Sequence, residues 1–350
     1  MKTKRSMLWA KAAAASALLA SGTGAQADTS VTLHGLVDAY VGSVKYSGMS
    51  GRENSVGNGG LTTSWFGLSG EEQLKADLSA VFDLESFFRV NTGEVSRARP
   101  GDTFFSRQAS VGLKGNWGTI RLGRNTAPNF FPSLFFNPLG ASFNFSPLFL
   151  HSYSPTIDRG VKWANSINGD TGWSNSVSYQ TPRMAGLTAN LVYQFGSAEH
   201  SRSNVGANII YRNGPFAATV FGQKVKLNNP SGMPFTGVYR EETSWFGGLS
   251  YDFDFVKLFA TYQQAKHDTA LQDKTWQLGA SAPLGKGKVM ISWANTRRDT
   301  GTDTLKRNTA TAGYDYFISK RTDVYLLGMY DKVTGMDEGT SVVAGIRHRF

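Results

Sequence analysis

The sequence predicts an all-β fold, a transmembrane antiparallel β-barrel of sixteen strands with an inward-folded third extracellular loop. Three observations predict it. Many segments alternate apolar and polar side chains with a period of two, which is the pattern of a strand with two unlike faces. Short turns and long polar loops follow one another along the chain, as they do in barrels that cross a membrane. One long segment, residues 127–159, breaks this pattern.

The first residues have the pattern of an export signal. Lys2, Lys4, Arg5 and Lys11 precede an apolar run, and small residues at positions 25–27 suit cleavage after Ala27. An uncleaved membrane anchor is disfavoured because the apolar run is too short to span a bilayer. We therefore expect residues 1–27 to be removed and residues 28–350 to form one barrel domain. Removal of four basic residues leaves 32 Lys and Arg against 26 Asp and Glu, a net charge of +6.

The remaining chain contains no cysteine and no apolar run of the length, about 18 residues, that a spanning helix needs. Spanning strands need only about ten alternating residues each. Val31 and Leu33, for example, alternate with Thr32 and His34. The predicted strands cover residues 30–47, 64–72, 78–92, 104–114, 119–126, 160–180, 187–196, 205–212, 216–226, 243–252, 255–266, 274–283, 288–298, 307–318, 322–332 and 339–350. The sixth is irregular, because residues 168–172 read as an inserted turn.

The connections differ in length on the two sides of the predicted sheet. Short turns lie at residues 115–118, 181–186, 213–215, 252–254, 285–287 and 319–321, and longer polar stretches at 48–63, 93–102, 197–204 and 227–242. The many glycines suit a bent, closed sheet that a loop approaches closely. A secreted β-sandwich also alternates, but charged side chains along the polar faces and aromatic residues near strand ends favour a barrel with a hydrophilic lumen.

The segment at residues 127–159 differs from an ordinary surface loop. No side chain between Arg124 and Asp158 is formally charged, and seven Phe fall there. So much aromatic surface would be a liability in water, and a connection of this length is usually functional. We expect it to fold back into the barrel and narrow the passage.

Several short motifs together resemble the trimeric general porins of Gram-negative outer membranes, of the beta-proteobacterial and neisserial type. They are VTLHGLVD at 31–38, FGLSGEE at 66–72, AVFDLE at 80–85, FSRQASVGL at 105–113, GTIRLGR at 118–124 and NSVSY at 175–179. The terminal Phe350 is similar to the family's barrel assembly signal. The resemblance covers the whole mature chain and implies a homotrimer in the cell outer membrane, in contact with lipid and lipopolysaccharide.

In that family the third extracellular loop sets the constriction, with carboxylates facing a ladder of arginines. The resemblance implies that Arg107 and Arg159 belong to this basic wall, because they match the ladder by position. Arg124 and Arg89 are further candidates for the wall, and the acids Asp83 and Glu85 are expected on the same face as Arg89. These arginines can equally act as structural struts that pair with lumen acids. Two departures weaken the expected electric field across the pore. On the wall, Trp65 stands where the family commonly has Arg, and Ser69 where it has a basic residue. In the loop, the usual acids are absent.

Aromatic residues take the place of those charges. We expect an aromatic constriction formed by Trp65, Phe130, Phe131, Phe135, Phe136, Phe143, Phe145 and Tyr153. Any single ring can instead pack against the wall, because exposed apolar area costs about 25 cal/mol per Å². Rings facing the passage would favour solutes with a flat or oily part, while the arginines would favour an anionic group.

The sequence gives no sign of catalysis. The five histidines are scattered without metal-ligand spacing, and neither a nucleophile elbow nor a phosphate loop occurs. We therefore expect no cofactor, no bound metal and no nucleic acid partner. We expect passive diffusion of small hydrophilic solutes and ions, with a preference for anions and for solutes with an aromatic part. Two alternatives stay open: a substrate-specific channel with a binding site at the constriction, and an adhesin or enzyme that uses the barrel as a mount.

Overall fold

The computed structural model describes residues 29–97, 102–153, 163, 167, 169–196, 202–229 and 241–350. The expected signal segment, the last residues of the 127–159 loop and Arg159 lie outside the described residues. We refer to residues 127–153 as the loop segment.

Seventeen strands and two short helices occupy the described residues. The strands are β1 (Thr29–Val44), β2 (Glu53–Asn58), β3 (Trp65–Lys75), β4 (Leu78–Phe87), β5 (Gln108–Gly115), β6 (Gly118–Thr126), β7 (Gly172–Gln180), β8 (Leu187–Gln194), β9 (Asn204–Asn213), β10 (Phe216–Val225), β11 (Glu242–Asp252), β12 (Lys257–His267), β13 (Gln272–Leu284), β14 (Gly287–Asp299), β15 (Thr304–Phe317), β16 (Thr322–Val333) and β17 (Gly339–Arg349). The helices are α1 (Phe130–Phe135) and α2 (Pro147–Ser152), both in the loop segment.

The strands form one closed antiparallel sheet. Each strand from β3 onward pairs with the next, and β17 returns to β1 with Leu36 opposite Arg349. On the other side of β1, β3 pairs with the first half of β1 and β2 pairs with the second half. β2 and β3 therefore share one strand position in the barrel. Closure therefore uses sixteen positions, which confirms the predicted sixteen-stranded barrel and excludes the two-layer sandwich.

Alternation of burial along each strand defines two faces. In β1, Val31, Leu33 and Val41 are exposed, whereas Asp38 and Tyr40 are buried. The exposed apolar face continues around the barrel, as expected where lipid replaces water. We call the opposite face the inner face. No helix within the described ranges is both long enough and apolar enough to traverse a bilayer.

The predicted strand ends differ from the observed ones by four residues or more in three places. β4 stops at Phe87 and β5 starts at Gln108, because the Ser86 hydroxyl donates to the Phe104 carbonyl and the Ser106 hydroxyl accepts from the Phe87 N–H, in place of the regular pairing between the two strands. The sixth predicted strand begins only at Gly172. Asp170 and Asn175 adopt φ of 67° and 50° there, and the pairing register shifts between Gly123 and Asn125.

Candidate functional site

The loop segment packs closely against three glycines on the inner face. They lie on alternate strands: Gly206 on β9, Gly248 on β11 and Gly279 on β13. A Cβ atom at these positions would come within 3.0 Å of Pro128 Cγ, 3.1 Å of Phe136 Cβ and 2.6 Å of Pro138 Cδ, respectively. Because only glycine leaves this space, the backbone of the loop segment can approach the sheet closely.

Gly279→Val is expected to push Pro138 away from the sheet. Inserted methyl groups in a packed contact typically cost about 1–3 kcal/mol, and we expect a loss of that size in the free energy of unfolding in lipid vesicles. Gly247→Val is the matched control, since a Cβ at Gly247 meets no atom within 4 Å. Equal effects of the two substitutions would contradict the packing seen at Gly279.

Polar contacts fix the second half of the loop segment to β14 and β15. The His151 ring bonds the hydroxyls of Thr296 through Nδ1 at 2.8 Å and of Thr309 through Nε2 at 2.7 Å. Thr311 donates to the Phe145 carbonyl at 2.7 Å. Burial, with the neighbouring Arg307, holds the pKa of His151 well below its usual range. The ring is therefore neutral at physiological pH and donates through one nitrogen only.

A buried ion pair contacts α2, the helix that contains His151. The Arg307 guanidinium is fully buried and bonds both carboxylate oxygens of Asp331, at 2.9 and 3.0 Å. Its third contact, at 3.1 Å, is to the Leu150 carbonyl of α2. Trp163 completes the cluster, because the guanidinium of Arg298 stacks on its ring at 4.1 Å and its Nε1–H donates to the His151 carbonyl. Wall charges thus hold the loop segment through its backbone as well as its side chains.

The other side of the loop segment contacts the region around β2. Ser142 donates to the Gly60 carbonyl at 2.5 Å, and the Asn144 amide donates to the carbonyls of Asn58 and Gly59, each at 3.0 Å. The segment that leaves β6 therefore contacts strands β9 to β15 and also the residues that follow β2.

A buried charge cluster holds the base of the loop. Arg97 bonds Asp102 and Asp170, with both of its Asp170 contacts at 2.9 Å, and Arg124 reaches Asp170 at 3.1 Å. Burial alone would lower the pKa of Arg97, but Asp170 and Asp102 outweigh it and raise that pKa. Arg124 is only 7% exposed. The expectation that Arg124 presents its charge to a passage is corrected, because its carboxylate partner and its burial make it a strut.

The partly exposed charges on the inner face of β3 to β6 form a second group. Arg107 is ion-paired with Glu85, and its guanidinium stacks on the Trp65 ring at 3.8 Å. His34 contacts the same ring edge-on at 5.2 Å. Sequence reasoning placed Arg107, Glu85 and Trp65 in the site but missed His34, although the alternation of β1 puts it on the polar face.

Two other sequence-predicted charges have different partners. Asp83 pairs with Arg121 at 3.2 Å, a residue that the sequence reasoning missed although it alternates onto the polar face of β6. Arg89 pairs with Glu94 in the loop after β4, and not with Asp83 or Glu85 on the strand. The expectation that Arg89 shares a site with those two acids is therefore corrected, since β4 ends at Phe87 before reaching it.

A sequence model of the Gram-negative porins matches residues 12–335 of this chain. The chain belongs to the Gram-negative porin family. It is 32% identical to an outer membrane porin protein of Bordetella pertussis, over 96% of this chain and 98% of that relative. It is 30% identical to outer membrane porin protein 32 of Delftia acidovorans, with 97% and 99% covered. The solved anion-selective porin from Comamonas acidovorans is 28% identical, with a TM-score of 0.74 over 92% of this chain and 100% of that one.

Membership in this family, together with the closed sixteen-stranded sheet, makes the protein an integral barrel of the outer membrane that works as a passive porin. Family and fold are those of a channel. The terminal residue of the porin lies at the barrel seam, where the backbone of Phe350 exchanges two hydrogen bonds with Gly35, at 3.2 and 3.1 Å.

Three of the aromatic residues expected at the constriction are buried. Phe136, Phe145 and Tyr153 are 1%, 0% and 4% exposed. Phe145 packs edge-on against Tyr40 of the wall, and the Tyr153 hydroxyl contacts that of Ser133 at 2.7 Å. The expectation that these three rings face a passage is corrected, because packing removes more apolar area from water than a place at the constriction would.

The other loop rings keep surface exposed. Phe130, Phe131 and Phe143 are half-buried, and Phe135 is 40% exposed. The guanidinium of Arg212, on β9, lies over the Phe135 ring, with its Cζ atom 4.3 Å from the ring centre. Arg212 lies on the polar face of β9, whereas exposed Ile209 and half-buried Tyr211 lie on the opposite face. Its position beside Phe135 depends on tertiary structure and could not be predicted from the alternation.

Proposed function

We propose that this porin passes small hydrophilic solutes and ions, with a preference for anions, through a lumen narrowed by the loop segment. The contacts of the loop segment support the narrowing. Its partners on β9 to β15 are inner-face residues, among them Gly206, Gly279, Thr309 and Thr311. A segment that begins at β6 and contacts the inner face of strands across a closed barrel would have to cross the interior.

The charges on the inner face support the anion preference. Among the described strands, the carboxylates Asp273, Asp323 and Asp331 are ion-paired with arginines and little exposed. Arg212 and Lys257 are cations whose described contacts are aromatic rings, Phe135 and Phe259. Excess positive charge at a narrow opening raises the local anion concentration. The relative from Comamonas acidovorans, at 28% identity, is itself named an anion-selective porin.

Planar-bilayer recording of the purified porin in a potassium chloride gradient tests this function. We expect stepwise insertion of open channels and a reversal potential of the sign that marks chloride as the more permeant ion. The preference should weaken as ionic strength rises, because salt screens the fixed charges. A reversal potential that favours potassium would contradict the anion preference, and an absence of conductance steps would contradict the channel.

We extend this proposal to the assembly. A homotrimer in contact with outer-membrane lipid and lipopolysaccharide is the expectation from the family, and the exposed apolar face of β1 and β3, with Val31, Leu33, Val41 and Leu68, supplies surface for a neighbouring subunit or for lipid. Native mass spectrometry in detergent distinguishes trimer from monomer. Cleavage after Ala27 and the assembly role of Phe350 also remain proposals, and the mass of the mature protein tests the first.

A substrate-specific channel is the second candidate. One observation favours it, the exposed pairing of Arg212 with Phe135. We propose no catalytic activity for the barrel.

A further inference from the structure

Arg212 differs from the other arginines on the inner face of the strands. Arg121, Arg124, Arg298, Arg307, Arg347 and Arg349 each pair with an Asp side chain. Arg212 forms no ion pair within the part of the chain that the structure describes, and its side chain is largely exposed. Its positive charge is therefore available to a solute.

The guanidinium of Arg212 lies over an aromatic ring and keeps its hydrogen-bond donors available. Its Cζ is 4.3 Å from the centre of the Phe135 ring, whereas no described acceptor takes a hydrogen bond from its side-chain N–H groups. Those groups form the planar fork that binds a carboxylate through two parallel hydrogen bonds. The contact with Phe135 also restricts the motion of the guanidinium, so that less freedom is lost when a carboxylate binds.

A second cation and a second ring extend this arrangement. Arg183, in the turn between β7 and β8, donates from Nη2 to the Arg212 carbonyl at 3.0 Å, so its charge lies beside β9. On α1, Phe131 stacks on Phe135 with the rings 5.6 Å apart and 7° from parallel. These pairwise contacts bring two aromatic rings and two cations together at the short-turn end of β9.

We propose that Arg212, Arg183, Phe135 and Phe131 bind small aromatic monocarboxylates, such as benzoate, on their way through the porin. The ligand's carboxylate bonds the N–H groups of Arg212, and its ring contacts exposed Phe135 and half-buried Phe131. This inference rests on the proposed function, because it assumes that solutes reach the inner face near the short-turn end of β9. It goes further by naming the solute class and the residues that select it.

The site has a chemical alternative in which the Arg212–Phe135 contact only anchors α1. The two differ in their response to solutes. An anchoring contact alone would give benzoate no advantage over acetate, whereas a site with both a guanidinium edge and exposed rings favours the aromatic acid. Aromatic stacking and cation–π contacts each contribute about 0.5–1 kcal/mol when exposed.

Solute block of the chloride current through the full-length mature porin tests the site. Benzoate should block saturably, with an apparent Kd at least about tenfold below that of acetate. Arg212→Gln should raise the benzoate Kd about tenfold or more, the size expected for a lost charge-assisted hydrogen bond. Arg212→Lys keeps the charge but lacks the fork and should recover only part of the affinity. Phe135→Leu should reduce the advantage of benzoate over acetate.

Arg321→Gln is the matched control. Arg321 is an exposed arginine on the short turn between β15 and β16, so its loss removes the same charge from the same end of the barrel. Equal effects of Arg212→Gln and Arg321→Gln on benzoate, or equal block by benzoate and acetate in the unaltered porin, would overturn the proposal.

Calorimetric titration of the detergent-solubilised porin with benzoate separates this inference from the proposed function. Binding that Arg212→Gln abolishes, in a channel that prefers potassium, would support the site and contradict the anion preference. A chloride-selective channel that releases no heat with benzoate and shows no saturable block would support the proposed function and overturn the site.

Discussion

Arg307→Met is expected to lower the free energy of unfolding by about 3–5 kcal/mol, the cost of removing one partner from a buried ion pair. Asp331 would keep its bonds from Thr309, at 2.6 Å, and from the Ser47 N–H, at 3.1 Å, but would lose its cation while buried. The Leu150 carbonyl of α2 would also lose its donor. Guanidinium titration in lipid vesicles measures the change.

Two variants make this prediction decisive. The double variant Arg307→Met/Asp331→Leu removes both charges. We expect it to recover most of the lost stability, because apolar replacement of a whole buried pair is often neutral or stabilising. Arg297→Met, on the exposed face of the neighbouring strand β14, should change stability by less than about 0.5 kcal/mol. A double variant as unstable as Arg307→Met would show that the ion pair has a role other than compensating a buried charge.

The barrel could be predicted from the sequence because its determinants are local. A period of two places Val31 and Leu33 on one face and His34 and Asp38 on the other, whatever the neighbouring strands are. Closure also limits the strand count to an even number when both ends lie on one side. The pattern does not reveal that β2 and β3 share one barrel position, since that depends on the turn at residues 59–64.

The site was less predictable because its contacts join residues far apart in the chain. Arg97 and Asp170 are 73 residues apart, and only the folded loops bring them together. Phe145 and Phe135 look alike in the sequence, yet one packs on Tyr40 and the other stays exposed. The abundance of strand glycines did indicate a close approach by a loop, and Gly206, Gly248 and Gly279 are the positions where it occurs.

Phe135→Glu is expected to change ion selectivity more than any other single substitution in the loop segment. The side chain is 40% exposed, so a carboxylate there needs little desolvation, and it would lie beside Arg212. It would offset the charge of that cation, so the net charge at this point falls by one unit. A unit charge about 7 Å from a passing ion in water changes the ion's free energy by about RT, which is roughly threefold in local concentration.

Phe135→Gln is the control, because it removes the same ring and adds a polar side chain without charge.

The central claim is that the loop segment lies within the lumen. The reversal potentials of Phe135→Glu and Phe135→Gln in a potassium chloride gradient test this claim most directly. Because the added charge lowers the local chloride concentration and raises the local potassium concentration, the account predicts a ratio of chloride to potassium permeability about sevenfold lower for Phe135→Glu than for Phe135→Gln. Identical reversal potentials for the two variants would place the segment away from the path of the ions and contradict the account.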